Sequence, residues 1–337
     1  MTTHTETKKR GNFLVRFLNI NTSGETGGRD LPLWRQLILQ ILCLIIAIEV
    51  LFPIMYIVTL SFSSQTTRPS QLQLIPQEIS LEAYKQVIDR PTANPVTFWE
   101  LLKNSFLLSV GVGLMALLIA VLAAYAFSRF KFTLRQTLMM LVFIPLLMPG
   151  VGLATPLYLL MNSFRIAECG DGIIAIAPFA SCAQGLGKVT FNLRDSLYGV
   201  GIAMVATALP FAIWNLKGYL DTIPRELEEA ASIDGAGPNQ IFFQIVLPLA
   251  LPQLAVTFFL GFIGHWQEFV LPWLFLTKPE YYTLSMTLYN MTGQYASSIP
   301  WNRFAAMAVI VALPVAITYI ALQKQIVSGL TAGSVKG

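Results

Sequence analysis

The sequence predicts an all-α integral membrane protein with six transmembrane helices. Of its 337 residues, 55% are hydrophobic and only 12% are charged, whereas soluble domains carry about 25% charged residues. A helix needs about 20 apolar residues to cross the hydrocarbon core of a bilayer, which is about 30 Å thick. The segments that meet this requirement are 37–61, 105–128, 136–161, 198–216, 252–276 and 304–323.

The third of these segments contains residues that interrupt a helix. Pro145, Pro149, Gly150 and Pro156 all lie within it. Proline removes a backbone hydrogen bond and kinks a helix, and a membrane span tolerates this only where neighbouring helices satisfy the freed groups. We therefore expect a kinked span that packs against other helices.

The distribution of positive charge predicts the topology. An even number of crossings leaves both termini on one side, and loops with an excess of Lys and Arg remain in the cytoplasm. The loop after the second segment contains Arg129, Lys131 and Arg135. Six basic residues precede the first segment: Lys8, Lys9, Arg10, Arg16, Arg29 and Arg35. The prediction is a cytoplasmic tail over 1–36, a membrane domain over 37–323 and a second cytoplasmic tail over 324–337.

The residue types argue against metal binding, cofactor binding and catalysis. His4 and His265 are the two histidines, and the three cysteines show no metal-binding spacing. The phosphate-binding pattern G-x-x-x-x-G-K-[ST] is absent, because Gly187-Lys188 is followed by Val189. The chain has no basic cluster typical of nucleic-acid binding. We expect no catalytic residue, no metal and no cofactor in this chain.

The loop at 217–251, between the fourth and fifth segments, predicts a helix, a tight turn and a second helix. Pro224 suits a first helical turn, Gly235 can adopt the left-handed conformation that ends a helix, and Pro238 can begin the next helix. Glu226, Glu228 and Glu229 stabilise the N-terminal end of the first helix.

Helical spacing then places Leu227, Ala230, Ala231 and Asp234 on one face of this first helix. Two interpretations remain open from the residues alone. The helix is either a knob that fits a partner protein or an amphipathic connector lying on the bilayer.

The spacing within this loop resembles a family motif. Glu229-Ala230-Ala231, followed by Gly235 and by the segment 245–248, is similar to the EAA motif of binding-protein-dependent ABC importer permeases. The segments 230–236 and 265–269 resemble the carbohydrate-uptake branch of this family. The ending 328–337 is similar to that of the smaller permease subunit of maltose/maltodextrin transporters, while the outer loop around residues 165–197 shows no such match.

The resemblance implies a division of labour in the bacterial inner membrane. Two permease subunits form the pathway, two ATP-binding subunits drive it, and an external solute-binding protein delivers the solute. The second permease is expected to be a different chain. The resemblance assigns ATPase coupling to Glu229, Ala230, Ala231, Asp234, Gly235, Ile245, Leu247 and Pro248.

Further candidates lie in or near the membrane spans. Glu49 and Glu268 are the acids within spans, and charged groups there usually face a cavity. With His265 and Gln267 they are candidates for lining the translocation path. The alternative for Glu268 is a buried carboxyl that holds span five near Pro272.

Two outer loops hold the remaining candidates. Tyr289 and Tyr295 could contact the binding protein or belong to the interfacial aromatic belt. Cys169 and Cys182 share one outer loop, where an oxidising compartment permits a disulfide. Two free thiols are the alternative.

The expected function is import of a maltose-like or maltodextrin-like oligosaccharide, with ATP hydrolysis by a partner. The alternatives are the same machine for trehalose, a glycoside or glycerol phosphate, and a proton-coupled transporter using Glu49 and Glu268.

Overall fold

The computed structural model describes residues 33–67, 74–76, 78–168, 174–177, 188–292 and 299–332. The chain divides into two compact units, Met1–Ile54 and Met55–Gly337. In the first unit, the described residues belong to the first helix, and the apolar side chains from Trp34 to Ile54 are exposed, as is the free thiol of Cys43. Cys169, Cys182 and Tyr295 lie outside the described residues.

The described chain is mostly helical, as predicted. In order, the helices are α1 (Leu33–Ser61), α2 (Glu82–Asp89), α3 (Phe98–Arg129), α4 (Arg135–Leu147), α5 (Gly150–Ser163), α6 (Leu197–Leu220), α7 (Glu226–Ile233), α8 (Pro238–Gln267), α9 (Val270–Phe275), α10 (Leu284–Asn290) and α11 (Trp301–Ala332).

Five of these helices are long and apolar enough to cross a membrane, namely α1, α3, α6, α8 and α11. The bent pair of α4 and α5 raises the number to six if it counts as one span, and its two parts differ in direction by 105°. Met148 is extended between them, because the residue before a proline is disfavoured in the helical region. The predicted kink therefore falls at Met148 and Pro149.

The fifth span differs from the predicted 252–276. Helix α8 begins at Pro238, so the expected second helix of the loop is continuous with the span, through a π-helical stretch at Ile241–Val246. The helix ends at Gln267 because Glu268 adopts an extended conformation. At the C-terminus, α11 continues to Ala332 through most of the predicted tail.

A small antiparallel sheet was not predicted by the sequence. It contains β1 (Arg165–Glu168), β2 (Ile174–Ala177) and β3 (Lys188–Asn192), in the order β2-β1-β3. The alternation of apolar residues in these short strands is too brief to distinguish them from an interfacial loop.

Helix α3 is central to the packing of the second unit, with α6 and α8 against it. Ala116, Ala120 and Ala124 are buried at four-residue spacing on α3. Small side chains allow helices in a membrane to approach closely and gain van der Waals contacts. One apolar cluster, which includes Ala120, Leu220 and Val246, joins the ends of these helices beneath α7.

The close approach at the start of α6 generates a prediction. A Cβ atom on Gly199 would lie 1.8 Å from the carbonyl oxygen of Leu193, whereas one on Gly218 would meet nothing within 4 Å. We expect Gly199→Ala to lower the free energy of unfolding by about 1–3 kcal/mol, as overpacking does. Unfolding by SDS in mixed micelles measures the change. Gly218→Ala is the control, and equal stability of the two variants would contradict the prediction.

Candidate functional site

The helix α7 ends in the conformation that the sequence predicts. Gly235 has a φ of 87°, a conformation that glycine adopts without steric cost. The N–H of Gly235 donates to the carbonyl of Ser232, and the N–H of Ala236 donates to that of Ala231. This is a Schellman cap. At the other end, the helix begins at Glu226, two residues beyond Pro224.

The two sides of α7 differ in exposure. Glu228 and Ala231 are half-buried, and Ala231 packs against the apolar cluster beneath the helix. At 100° per residue, the opposite side carries Glu229, Ala230 and Ile233, and the side chain of Ile233 is 87% exposed. Of the four residues predicted to share one face, Leu227, Ala230 and Asp234 are exposed, whereas Ala231 lies at the edge of that face and packs against the protein.

The remaining loop candidates are divided between surface and core. Asp234, Gly235 and Pro248 are exposed, while Ile245 and Leu247 are half-buried. Leu247 packs against the same cluster as Ala231.

An ion pair connects α7 to the end of α3. The Nε atom of Arg129 lies 2.5 Å from Oε1 of Glu228, and the two side chains are only 8% and 14% exposed. The guanidinium also donates to the carbonyl of Ile223 and to the hydroxyl of Ser128. The hydroxyl of Tyr125 contacts the other carboxylate oxygen of Glu228, at 3.3 Å. Arg129 thus joins the end of α3 to Ile223 and Glu228 in the loop after α6.

A second set of contacts joins the end of α6 to the end of α3. The hydroxyl of Ser128 donates to Oδ1 of Asp221 at 2.6 Å, and Nζ of Lys217 lies 2.5 Å from Oδ2. Arg225 donates to the carbonyl of Ser128 at 2.7 Å. We call Arg129, Glu228, Ser128, Asp221 and Arg225 the anchor network.

The charge of Asp221 responds to these contacts. Burial opposes the charged form of the carboxyl, but hydrogen bonds from Lys217 and Ser128 outweigh it, so the pKa of Asp221 lies below its ordinary value. The stabilisation by the carboxylate is therefore present above the unfolded pKa of about 4. It is lost as the pH falls through the lowered pKa of the folded state.

Sequence reasoning did not identify the anchor network. From the sequence, Glu228 is an acid near a helix N-terminus, and Arg129 is one of the basic residues that favour the cytoplasmic side. Their pairing joins residues on separate elements, and neither residue's local pattern reveals a partner so far along the chain. The available signal was an arginine at the end of a long apolar segment, where it must find a polar partner or water.

The candidates near the end of α8 have different surroundings. Oε1 of Glu268 accepts hydrogen bonds from the N–H groups of Val270 and Leu271, at 2.7 and 3.2 Å. The half-buried Glu268 thereby caps α9. In the described structure, His265, Gln267 and Glu268 form no side-chain hydrogen bonds with one another, and Nε2 of His265 has no partner.

Two pockets lie beside these residues. His265 borders a cavity of about 130 Å³ between α3, α6 and α8, with small residues such as Gly113 and Gly261 in its wall. Gln267 and Tyr289 line a second pocket of about 340 Å³. Tyr289 stacks on Phe269 there, with ring centroids 4.6 Å apart. Glu49 is exposed on α1.

The fold and the site together define a multi-pass membrane protein that presents a short, firmly anchored helix at the end of its spans. Residues 116–331 match the family described as "Binding-protein-dependent transport system inner membrane component". The chain therefore belongs to this family, the inner membrane permeases of ABC transporters.

Individual relatives extend over nearly the whole chain. The galactooligosaccharides transport system permease protein GanQ of Bacillus subtilis (strain 168) is 32% identical, over 90% of this chain and 96% of its own length. The maltose/maltodextrin transport system permease protein MalG of Photorhabdus laumondii subsp. laumondii is 33% identical, over 90% of this chain and 97% of its own.

A solved structure shares the fold. The chain is similar to one in the crystal structure of a bacterial ABC transporter involved in the import of the acidic polysaccharide alginate. The TM-score is 0.63 and the identity 22%, over 95% of this chain and 99% of the other.

The buried ion pair leads to a double-mutant prediction. Removing one partner of such a pair leaves an uncompensated charge and costs about 3–5 kcal/mol. We expect Arg129→Met and Glu228→Met each to destabilise the protein by about this amount, and the double variant to lose much less than the sum. SDS unfolding in mixed micelles measures all three.

The control cycle uses Lys217 and Asp221. Their charged atoms are also 2.5 Å apart, but the two side chains are more exposed, at 22% and 41%. Their coupling energy should be about 1 kcal/mol or less. Additive effects of the Arg129 and Glu228 substitutions would show that the pair contributes nothing to holding the loop.

Proposed function

We propose that this chain is the permease subunit of an ATP-driven, binding-protein-dependent sugar importer, in which α7 is the coupling helix for an ATP-binding partner. The outward face of α7 carries this proposal. A single exposed apolar side chain is normal on a protein surface. Ile233, however, lies with Ala230 and Glu229 on a helix whose opposite side is held by a buried ion pair. A short, rigidly anchored helix with a partly apolar exposed face is suited to bind in a cleft on another protein.

The anchor network explains how force on α7 reaches the membrane. Arg129 and Ser128 belong to the end of α3, and Asp221 directly follows α6. Arg129 binds Glu228 of α7, and Ser128 binds Asp221, so the end of α3 is bonded to α7 directly and the end of α6 is bonded to it through α3. A displacement of α7 would therefore move both helix ends together. Rigid movement of membrane helices about a central site is a common means of alternating access.

The proposed complex contains a second permease subunit, two ATP-binding subunits and an external solute-binding protein. Both termini lie in the cytoplasm in this arrangement, because the basic residues before α1 and after α3 favour that side. The Glu229–Pro248 segment then faces the ATP-binding subunits, and Tyr289 and Tyr295 lie on the side of the solute-binding protein.

The proposed solute is an oligosaccharide of the maltose or maltodextrin type. The names of both relatives refer to the transport of oligosaccharides. The pocket at Gln267 and Tyr289 combines an amide with stacked aromatic rings, groups that can bind hydroxyls and the apolar faces of sugars. We assign Gln267, His265 and Glu268 to the translocation path, with Glu49 as a further candidate.

Two alternatives have less support. The same type of importer could carry trehalose, a glycoside or glycerol phosphate, since the pathway needs few solute-specific contacts. A proton-coupled transporter using Glu49 and Glu268 is not favoured, because the chain belongs to a family of binding-protein-dependent systems and Glu268 caps a helix.

The exposed face of α7 leads to a prediction about assembly. We expect Ile233→Asp to reduce association with the ATP-binding subunit by about tenfold or more, because binding would bury a charge without a partner. Co-purification of the ATP-binding subunit with the permease measures this. Glu229→Lys, on the same face, should also weaken association.

The matched control is Ile79→Asp, since the side chain of Ile79 is 76% exposed in the segment before α2. This variant should retain the ATP-binding subunit. Normal association and transport in the Ile233 variant would exclude α7 as the coupling helix.

A transport assay tests the solute. In proteoliposomes containing the complete complex and its solute-binding protein, we expect uptake of labelled maltotriose to require enclosed ATP and to persist in the presence of a proton uncoupler. Competition by unlabelled trehalose should be weak. Strong competition would support the trehalose alternative, and loss of uptake with the uncoupler while ATP is maintained would support proton coupling.

A further inference from the structure

A basic pocket lies where three membrane helices end. It has a volume of about 700 Å³ and is bordered by the end of α3, the beginning of α4 and the end of α6. Lys131, Arg135 and Lys217 line it, one from the loop after α3 and one from each of the two other helices. Neither the anchor network nor the candidate translocation residues include Lys131 or Arg135.

The positive charge of this pocket is largely uncompensated. No Asp or Glu is among the residues that line it. Asp221 pairs with Lys217 and Ser128, and Glu228 pairs with Arg129. Within the described part of the chain, Lys131 and Arg135 form no ion pair.

The backbone adds to this charge. Helix α4 starts at the pocket with no acidic residue in its first turn and no side-chain cap. The N-terminal end of a helix carries partial positive charge and free N–H groups, which attract anions. The residue before the helix, Leu134, has a φ of 64°. The pocket therefore combines side-chain cations with an uncapped helix end.

The remaining walls are mainly apolar, with Gln136 and Thr137 as the two polar residues. Phe127 and Phe132 line the pocket and contact each other, with ring centroids 5.8 Å apart. Leu138, Met140 and Leu141 continue from it along α4 as exposed apolar side chains. A free phosphate ion would leave this surface unused, whereas acyl chains would cover it.

We propose that this pocket binds the phosphate headgroup of an anionic phospholipid, with the acyl chains along α4. The ends of membrane helices lie at headgroup depth, and basic pockets between such helices bind anionic headgroups. The phosphate contacts Lys131, Arg135 and the N-terminal N–H groups of α4.

Native mass spectrometry tests the proposal on the complete transporter, reconstituted in nanodiscs of equimolar phosphatidylglycerol and phosphatidylcholine. We expect the wild type to retain phosphatidylglycerol in preference to phosphatidylcholine. Each Lys or Arg near an anionic surface changes affinity by about fivefold. In Lys131→Gln/Arg135→Gln, phosphatidylglycerol retention should therefore fall by about 30-fold.

Two variants make the result specific. Lys85→Gln/Lys278→Gln removes the same charge from exposed positions elsewhere and should retain the lipid. The charge-conserving Lys131→Arg/Arg135→Lys should retain it as well, which separates lipid binding from folding. Equal retention in the glutamine variant and the wild type would overturn the proposal. Displacement of the lipid by millimolar inorganic phosphate would also overturn it, because the site would then bind a free anion.

Discussion

The proposed coupling site depends on the ion pair between the guanidinium of Arg129 and the carboxylate of Glu228. This pair fixes the side of α7 that faces the membrane helices, and this also determines which side remains exposed. A buried arginine is stable only when its donors are satisfied, and here a carboxylate, a carbonyl and a hydroxyl accept them. The exposed face with Ile233 is a consequence of this orientation.

The same chemical constraint explains where the membrane helices break. Backbone groups at membrane depth must find partners within the protein. At the end of α8, the carboxylate of Glu268 accepts the free N–H groups that begin α9. At the start of α4 the first turn has no side-chain cap, and an anionic headgroup would supply the missing acceptor. The break after α8 is therefore closed by the chain itself, whereas the start of α4 is a helix end at which we propose that a lipid headgroup binds.

Much of the fold follows from local features of the sequence. The apolar segments predict the membrane helices, and Gly235 predicts the end of α7, because only a residue without Cβ readily adopts its φ. The limits of α8 could not be predicted in this way. Pro248 and Pro252 lie in the middle of α8, just after its π-helical stretch, and do not end the helix. The break at Glu268 coincides with a side-chain hydrogen bond.

By itself, the sequence determined that this chain crosses the membrane several times and carries an EAA-like loop, because hydrophobicity and motif spacing are local properties. Only the tertiary structure decided which side of the loop helix is exposed, and that Gln267 and Tyr289 line one pocket. It also joined Arg129 to Glu228 and gathered Lys131, Arg135 and Lys217. These arrangements depend on contacts between residues far apart in the chain. The packing of the helices sets the distances between such residues, and a local sequence pattern does not contain them.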